Sequence, residues 1–216
     1  MQWSAGRVPR ERLEGDVDAV ARDLLGRVIV SGSGATAVAV RLTEVEAYAG
    51  LVDPASHSYR GRTPRTAVMF GPAGHLYTYF VYGMHWCANI VTGPDGEASA
   101  VLLRAGQVVD GMEEARRRRW RTGRAEPAEH QLARGPAGLA TVLGFDATSN
   151  GADLVAGSGH VRLLVGLPPA AGEVRVGPRV GVAAAADAQR RFWIGGDPTV
   201  SAFRAWVPRN RARAAH

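Results

Sequence analysis

The sequence predicts an α/β protein: one domain over residues 1–216, built on a mostly antiparallel sheet with flanking helices. Three observations carry this. Apolar and aromatic runs of strand length follow one another from Leu76 to Arg104 with only turn residues between them. Segments with helical spacing are few, short and bounded by capping residues. No internal repeat or low-complexity linker divides the chain, and with 46% hydrophobic residues it can build a sizeable core, expected over about residues 17–206.

The elements follow in order. Val17 to Leu25 reads as a short helix capped by Asp16, with Val17, Val20 and Leu24 on its inward face. A strand starts at Arg27–Val30, and Ser31-Gly32-Ser33-Gly34 turns the chain. Ala37 to Glu46 alternates as a strand, with Val38, Val40 and Leu42 on one face. If that strand stays regular, Glu44, Glu46 and Tyr48 continue the same parity, and a carboxylate on the apolar side needs a reason. Gly50 to Arg65 is a loop. Leu76–Tyr82, Trp86–Val91 and Ala98–Arg104 form a meander, joined through Gly83-Met84 and through Pro94-Asp95-Gly96. Asp110 is placed to cap a helix running to about Trp120. A second helix starts at Pro136 and stops at Gly144. Short strands follow at Val161–Val165, Val174–Val176 and Arg191–Ile194, and the basic tail from Pro208 to His216 is expected to fray.

Composition narrows the function classes. No apolar run approaches the roughly 20 residues of a membrane helix, and Met1–Arg12 lacks a secretory apolar core, so no membrane partner and a cytosolic setting, with access to the nucleoid, are expected. Cys87 is the one cysteine, which excludes an intrachain disulfide and a multi-thiolate zinc site. The six histidines show no HExxH-type spacing. No metal or cofactor is therefore expected. The net charge of +6 favours a polyanionic partner, nucleic acid first. All 26 basic residues are arginine, so a lysine Schiff base is excluded and any cleavage at a sugar carbon must use water or another nucleophile.

Three constellations can carry chemistry. In Thr43-Glu44-Val45-Glu46-Ala47-Tyr48, Glu46 ends a strand where scaffold meets loop, and an ionised glutamate can deprotonate water. Taken alone, an ion pair with one of the arginines is the plainer reading of either glutamate. In Tyr77 to Trp86 a packed sheet face explains Phe80, but not Tyr82 and Met84, which flank the turn glycine. Bulky side chains at a hairpin tip can act as a wedge that unstacks bases, and Tyr79 further down can stack on an extruded base. Among the arginines, Arg60, Arg62 and Arg65 are the better phosphate candidates. The run Arg116–Arg119 with Arg121 reads mainly as a solvated helix face. Arg104 can pair with a catalytic acid, hold water, or cap a sheet edge.

Together these blocks resemble the alkyladenine (3-methyladenine) DNA glycosylase family of the vertebrate and bacterial type. The stretches that match are Ala21–Gly26, Thr43–Gly50, Ala55–Ser58, Thr63–Arg65, Met69-Phe70, Leu76–Ile90, Ala100–Ala105, Gly135-Pro136, Arg179–Val182 and Val200-Ser201, in order over roughly residues 20 to 204. The resemblance implies a curved antiparallel sheet with a protruding hairpin, and a monomeric, monofunctional glycosylase acting on double-stranded DNA that contains damaged purines. It implies Glu46 as the base that activates water and Arg104 beside that water. Tyr48, His57 and Tyr79 would enclose the flipped base, with Asn89 crowding the exocyclic amine of normal guanine, while Tyr82, with Met84 beside it, fills the vacated stack. The chain departs from the family's pattern in the alanine-rich Val182–Gln189 and at His85. Two other readings stand beside this one. A non-catalytic damaged-DNA-binding protein would keep the hairpin tip and the basic face. A nucleoside or carbohydrate hydrolase would pair Glu44 with Glu46, about 7 Å apart on one strand face.

Overall fold

A computed structural model of the chain describes residues 4–81, 83–120, 125–156, 159–170 and 172–207. The described residues form one antiparallel sheet of nine strands: β1 Ser4–Arg7, β2 Val28–Ser31, β3 Val38–Tyr48, β4 Leu76–Val81, β5 His85–Val91, β6 Ala100–Asp110, β7 Val161–Gly166, β8 Val174–Gly177 and β9 Arg191–Ile194. Three helices flank it: α1 Val17–Leu24, α2 Met112–Arg119 and α3 Pro136–Leu143. The main path runs β1-β7-β2-β3-β6-β5-β4, which contains the meander expected from the sequence. The lower half of one edge of β3 pairs with β2 and its upper half with β9, which in turn carries β8. Glu44, Val45 and Glu46 therefore lie between β6 and β9, enclosed from both sides.

The helices form where their caps allow. The Asp16 carboxylate accepts from the amides of Asp18 and Ala19, and α1 buries Val17, Val20, Ala21 and Leu24 against the sheet. Pro136 opens α3, and Gly144 closes it in the left-handed region. One boundary differs from expectation. Strand β6 runs on to Asp110, so Asp110 ends a strand, and Gly111, at φ 71°, stands in the N-cap position of α2. The ladder with β3 continues that far and outweighs the capping signal. The core also begins earlier than residue 17: Val8 and Leu13 are fully buried in it.

The parity of β3 is the fold's main device for the site. Val38, Val40 and Leu42 enter the main core, but beyond them the core side chains are Val45 and Ala47. The pairing with β6 slips between Leu42 and Glu44 and again between Glu44 and Val45. The strand does not stay regular, so the glutamates leave the apolar face. Gly106 lies opposite this irregularity, where a Cβ would sit 2.3 Å from Val40 Cγ1 and 2.6 Å from the Arg41 carbonyl oxygen. Past the strand, Gly50 takes φ 61° and passes so close to the Ala98 carbonyl that no side chain fits, which turns the chain into the loop over the site.

Candidate active site

The side of β3 turned away from the core carries Glu46 and Tyr48 into a cleft of about 460 Å³. Arg104 from β6, Tyr79 from β4, Asn89 from β5 and His57 from the loop line the same cleft. Six residues singled out in the sequence, from four strands and a loop, thus converge on one space.

The two glutamates have different environments. Glu44 is fully buried and saturated: its Oε1 accepts from Arg104 Nε at 2.8 Å, Arg191 Nε at 2.7 Å and the Ser201 hydroxyl at 2.9 Å, and its Oε2 from the Ser201 amide at 2.7 Å. Burial alone would raise its pKa, but Arg104, Arg191 and Ser201 together hold it below the usual carboxylate range. It does not line the cleft. Glu46 is equally buried within the protein yet faces the cleft. Its Oε1 accepts from the Val180 amide at 2.7 Å, its Oε2 from the Tyr48 hydroxyl at 2.9 Å, and Arg104 lies 3.4 Å away. Here burial wins over these partners and raises the carboxyl above its ordinary range. One carboxylate is a fixed structural anion, and the other is a partly supported one aimed at an open volume. The pairing of Glu44 with Glu46 as two working acids has no geometric support.

The aromatic walls follow from β4 and β5 pairing Tyr77 with Asn89 and Tyr79 with Cys87. Tyr77 is buried and stacks on Tyr79 with ring centroids 5.6 Å apart. His57 meets Tyr79 edge-on at 4.5 Å, and its Nδ1 lies 3.1 Å from the Tyr77 hydroxyl. Partial burial, and then the Arg65 charge, lower the His57 pKa to about 4, so the ring is neutral at pH 7. The Asn89 side-chain amide donates to the Tyr77 carbonyl at 3.1 Å, which fixes its orientation at the cleft wall.

Behind the cleft lies a pair that the sequence reading did not single out. Arg179 and Asp53, 126 residues apart, form a fully buried two-pronged ion pair at 2.5 and 3.0 Å. Asp53 also accepts from the Ala49 and Ala55 amides and so pins the loop that follows β3. The Arg179 guanidinium lies 4.6 Å above the Tyr48 ring and donates to the Ala47 carbonyl at 3.0 Å. The motif Arg179–Val182 was visible in the sequence, but nothing there paired it with Asp53. Arg191 and Ser201, which hold Glu44, were likewise not singled out.

Among the described residues, the remaining candidates do not line the cleft. Arg60, Arg62 and Arg65 are exposed; Arg65 sits 5.5 Å over the Tyr79 ring, and among the described residues Arg60 and Arg62 have no carboxylate partner. At the hairpin, Met84 is 67% exposed, as expected of a tip, whereas Phe80, expected on a packed sheet face, is 49% exposed, because among the described residues its ring meets only the ring of Trp86 on the neighbouring strand, centroid to centroid at 5.1 Å. Tyr82 lies outside the described residues, as do Arg121 and the tail arginines Arg209, Arg211 and Arg213. The arginines of α2 are tied down: Arg117 and Arg118 bond Glu114, and Arg116 bonds Glu126 and Glu129. Among the described residues no helix is long and apolar enough to cross a membrane.

Fold and cleft together define an α/β protein in which a buried carboxylate and an arginine stand beneath an aromatic-walled chamber large enough for a heterocyclic base. The chain belongs to the methylpurine-DNA glycosylase family, whose sequence model matches residues 11–198. It is accordingly a DNA glycosylase, a hydrolase of base excision repair. A relative from Streptomyces avermitilis is 52% identical over 194 residues, covering 89% of each chain. One from Nocardia farcinica is 51% identical over 199 residues, covering 90% of each, and one from Burkholderia lata is 41% identical over 201 residues, covering 93% of each. All three bear the name "Putative 3-methyladenine DNA glycosylase".

Proposed function

We propose that the protein flips alkylated or deaminated purines (3-methyladenine, 7-methylguanine, hypoxanthine, ethenoadenine) out of duplex DNA and hydrolyses the N-glycosidic bond with a water activated by Glu46, leaving an abasic site. The observation that carries this reading is the contrast between the saturated Glu44 and the cleft-facing Glu46, with Arg104 bridging them.

Arg60, Arg62 and Arg65 bind phosphates without reading sequence. Tyr82, with Met84 beside it, fills the stack that the flipped nucleotide vacates, at a cost of a few kcal/mol that is lower for a weakened pair. The base enters between Tyr79 and Tyr48. The edge-on contact of His57 with Tyr79 supports this placement, since it leaves Tyr48 for the opposite wall. Asn89, fixed by the Tyr77 carbonyl, stands where an exocyclic amine would crowd it. Glu46 takes a proton from water, the water oxygen bonds to the anomeric carbon, and the glycosidic electron pair leaves with the purine. Arg104 holds that water and balances the charge.

Alkylated bases already carry positive charge, leave readily, and are attracted by aromatic faces. Neutral lesions need a donor. The Tyr77 hydroxyl, 3.1 Å away, can donate to His57 Nδ1, an arrangement that leaves the imidazole proton on Nε2. Neutral His57 is then a hydrogen-bond donor to the purine rather than a strong acid.

The test is base release under single-turnover conditions from duplexes carrying one each of 7-methylguanine, hypoxanthine and ethenoadenine, beside an unmodified duplex and free nucleosides. Free base from the lesion duplexes alone is expected. Tight lesion binding with no base released from any of them would overturn the catalytic reading in favour of damage binding.

A further inference from the structure

We propose that Arg179 and Asp53 are positioning residues for Glu46: their buried ion pair holds the Val180 amide and the Tyr48 hydroxyl against the two carboxylate oxygens. This rests on the reading of Glu46 as the base.

Two of the three contacts on Glu46 depend on Arg179. The Val180 amide, 2.7 Å from Oε1, belongs to the next residue in the chain. The Tyr48 hydroxyl, 2.9 Å from Oε2, belongs to the ring on which the Arg179 guanidinium lies. That guanidinium is itself fixed by the two-pronged bond to Asp53 and by the Ala47 carbonyl, on the strand residue between Glu46 and Tyr48. A planar fork can stack and bind a carboxylate at once, which a lysine cannot. Asp53 completes the frame by holding the Ala49 and Ala55 amides, with Arg190 3.3 Å from its Oδ2. The segment at 179–180 carries no strand or helix of its own; besides the ion pair it is tied at the next residue by the Gly181 amide donating to the Arg204 carbonyl at 2.9 Å.

Other charged and titratable groups around Glu46 set the background. Arg104 faces it from β6, Tyr48 and Glu44 from its own strand, Tyr79 from β4, and Arg179 from behind Tyr48. From β9, Arg191 turns to Glu44 instead. The Val180 and Tyr48 bonds both favour the ionised carboxylate. Loss of one charge-assisted hydrogen bond changes a proton affinity by about tenfold or more.

The experiment is an NMR titration of the Glu46 side-chain carboxyl in the full chain, in wild type, Asp53→Asn, Arg179→Lys and Tyr48→Phe. Val28→Ala, in a separate buried cluster with Val30 and Ala39, serves as a destabilised control. Single-turnover base release against pH is measured on the same proteins. All three site variants should move the Glu46 midpoint upward and displace the acid limb of the rate profile with it, whereas Val28→Ala should move neither. If Asp53→Asn and Arg179→Lys fold but leave the midpoint where wild type has it, the pair is merely structural and the inference is wrong. If one of these two does not fold, the other decides on the same criterion, and Tyr48→Phe, which keeps the ring and removes the hydroxyl, calibrates the shift that loss of one Glu46 contact produces. Absence of base release by wild type would strike the functional reading, while the titration would still judge the positioning role.

Discussion

At the scale of single residues, Glu44 and Glu46 show that burial alone does not decide what a carboxylate does. Both are inaccessible, yet four donors saturate Glu44 while Glu46 keeps a side open to the cleft. The two make opposite stability predictions. The folded pKa of Glu46 lies above its unfolded value, so its contribution is favourable at low pH and is lost as pH rises through the folded value. At neutral pH the ionised group is therefore a cost, and Glu46→Gln should melt at or above the wild-type temperature. The folded pKa of Glu44 is depressed, so its stabilisation is present above the unfolded pKa and lost as pH falls through the folded one. Glu44→Gln leaves Arg104 and Arg191 buried with an uncompensated charge and should cost about 3–5 kcal/mol in denaturant unfolding. Local pattern did not separate the two glutamates, and only the family resemblance singled out Glu46, because the physical difference lies in Arg191 and Ser201, which are about 150 residues away in the chain.

At the scale of elements, the site depends on a strand that breaks its own alternation. Strand positions other than β1, the meander, the α1 cap and both ends of α3 were legible because they rest on local periodicity and capping. The slip in β3 was not legible. It arises from pairing with β6 and from the missing side chain at Gly106, neither of which is local to β3. Gly106→Ala would force a methyl into Val40 and the Arg41 carbonyl, and a loss of about 1–3 kcal/mol is expected. Because the slip turns Glu44 and Glu46 off the core face, that variant should lose activity beyond its loss of stability, which comparison of rates per folded molecule will read. The hairpin makes the reverse case. Met84 is exposed, so Met84→Ala should leave unfolding within about 0.5 kcal/mol of wild type, while lesion-duplex affinity falls if the tip enters the stack.

Over the whole molecule, positive charge is distributed unevenly in function. The run on α2 stood out most in the sequence, yet Arg116, Arg117 and Arg118 are bound to Glu114, Glu126 and Glu129, and Arg119 to the Leu132 carbonyl. Arg60 and Arg62, less conspicuous, are exposed on the loop that carries His57, without carboxylate partners among the described residues. If both bind phosphates, Arg60→Ala combined with Arg62→Ala should flatten the dependence of log affinity on log salt by roughly 0.9 for each phosphate no longer neutralised. Removing Arg117 should not change that slope. The family resemblance was legible over most of the chain because its motifs are contiguous, and the family match over residues 11–198 covers the same ground. The supporting frame of Asp53, Arg179, Arg191 and Ser201 was not, because its partners meet only after folding.

The decisive measurement is the single-turnover rate of base release from a 7-methylguanine duplex by wild type and Glu46→Gln, with duplex affinity and melting temperature measured on both. A general base is worth about 10²–10⁴-fold. A loss of that size, with affinity retained and melting temperature undiminished, is expected. A Glu46→Gln protein that releases the base at close to the wild-type rate would remove Glu46 from the chemistry and leave the cleft without its base.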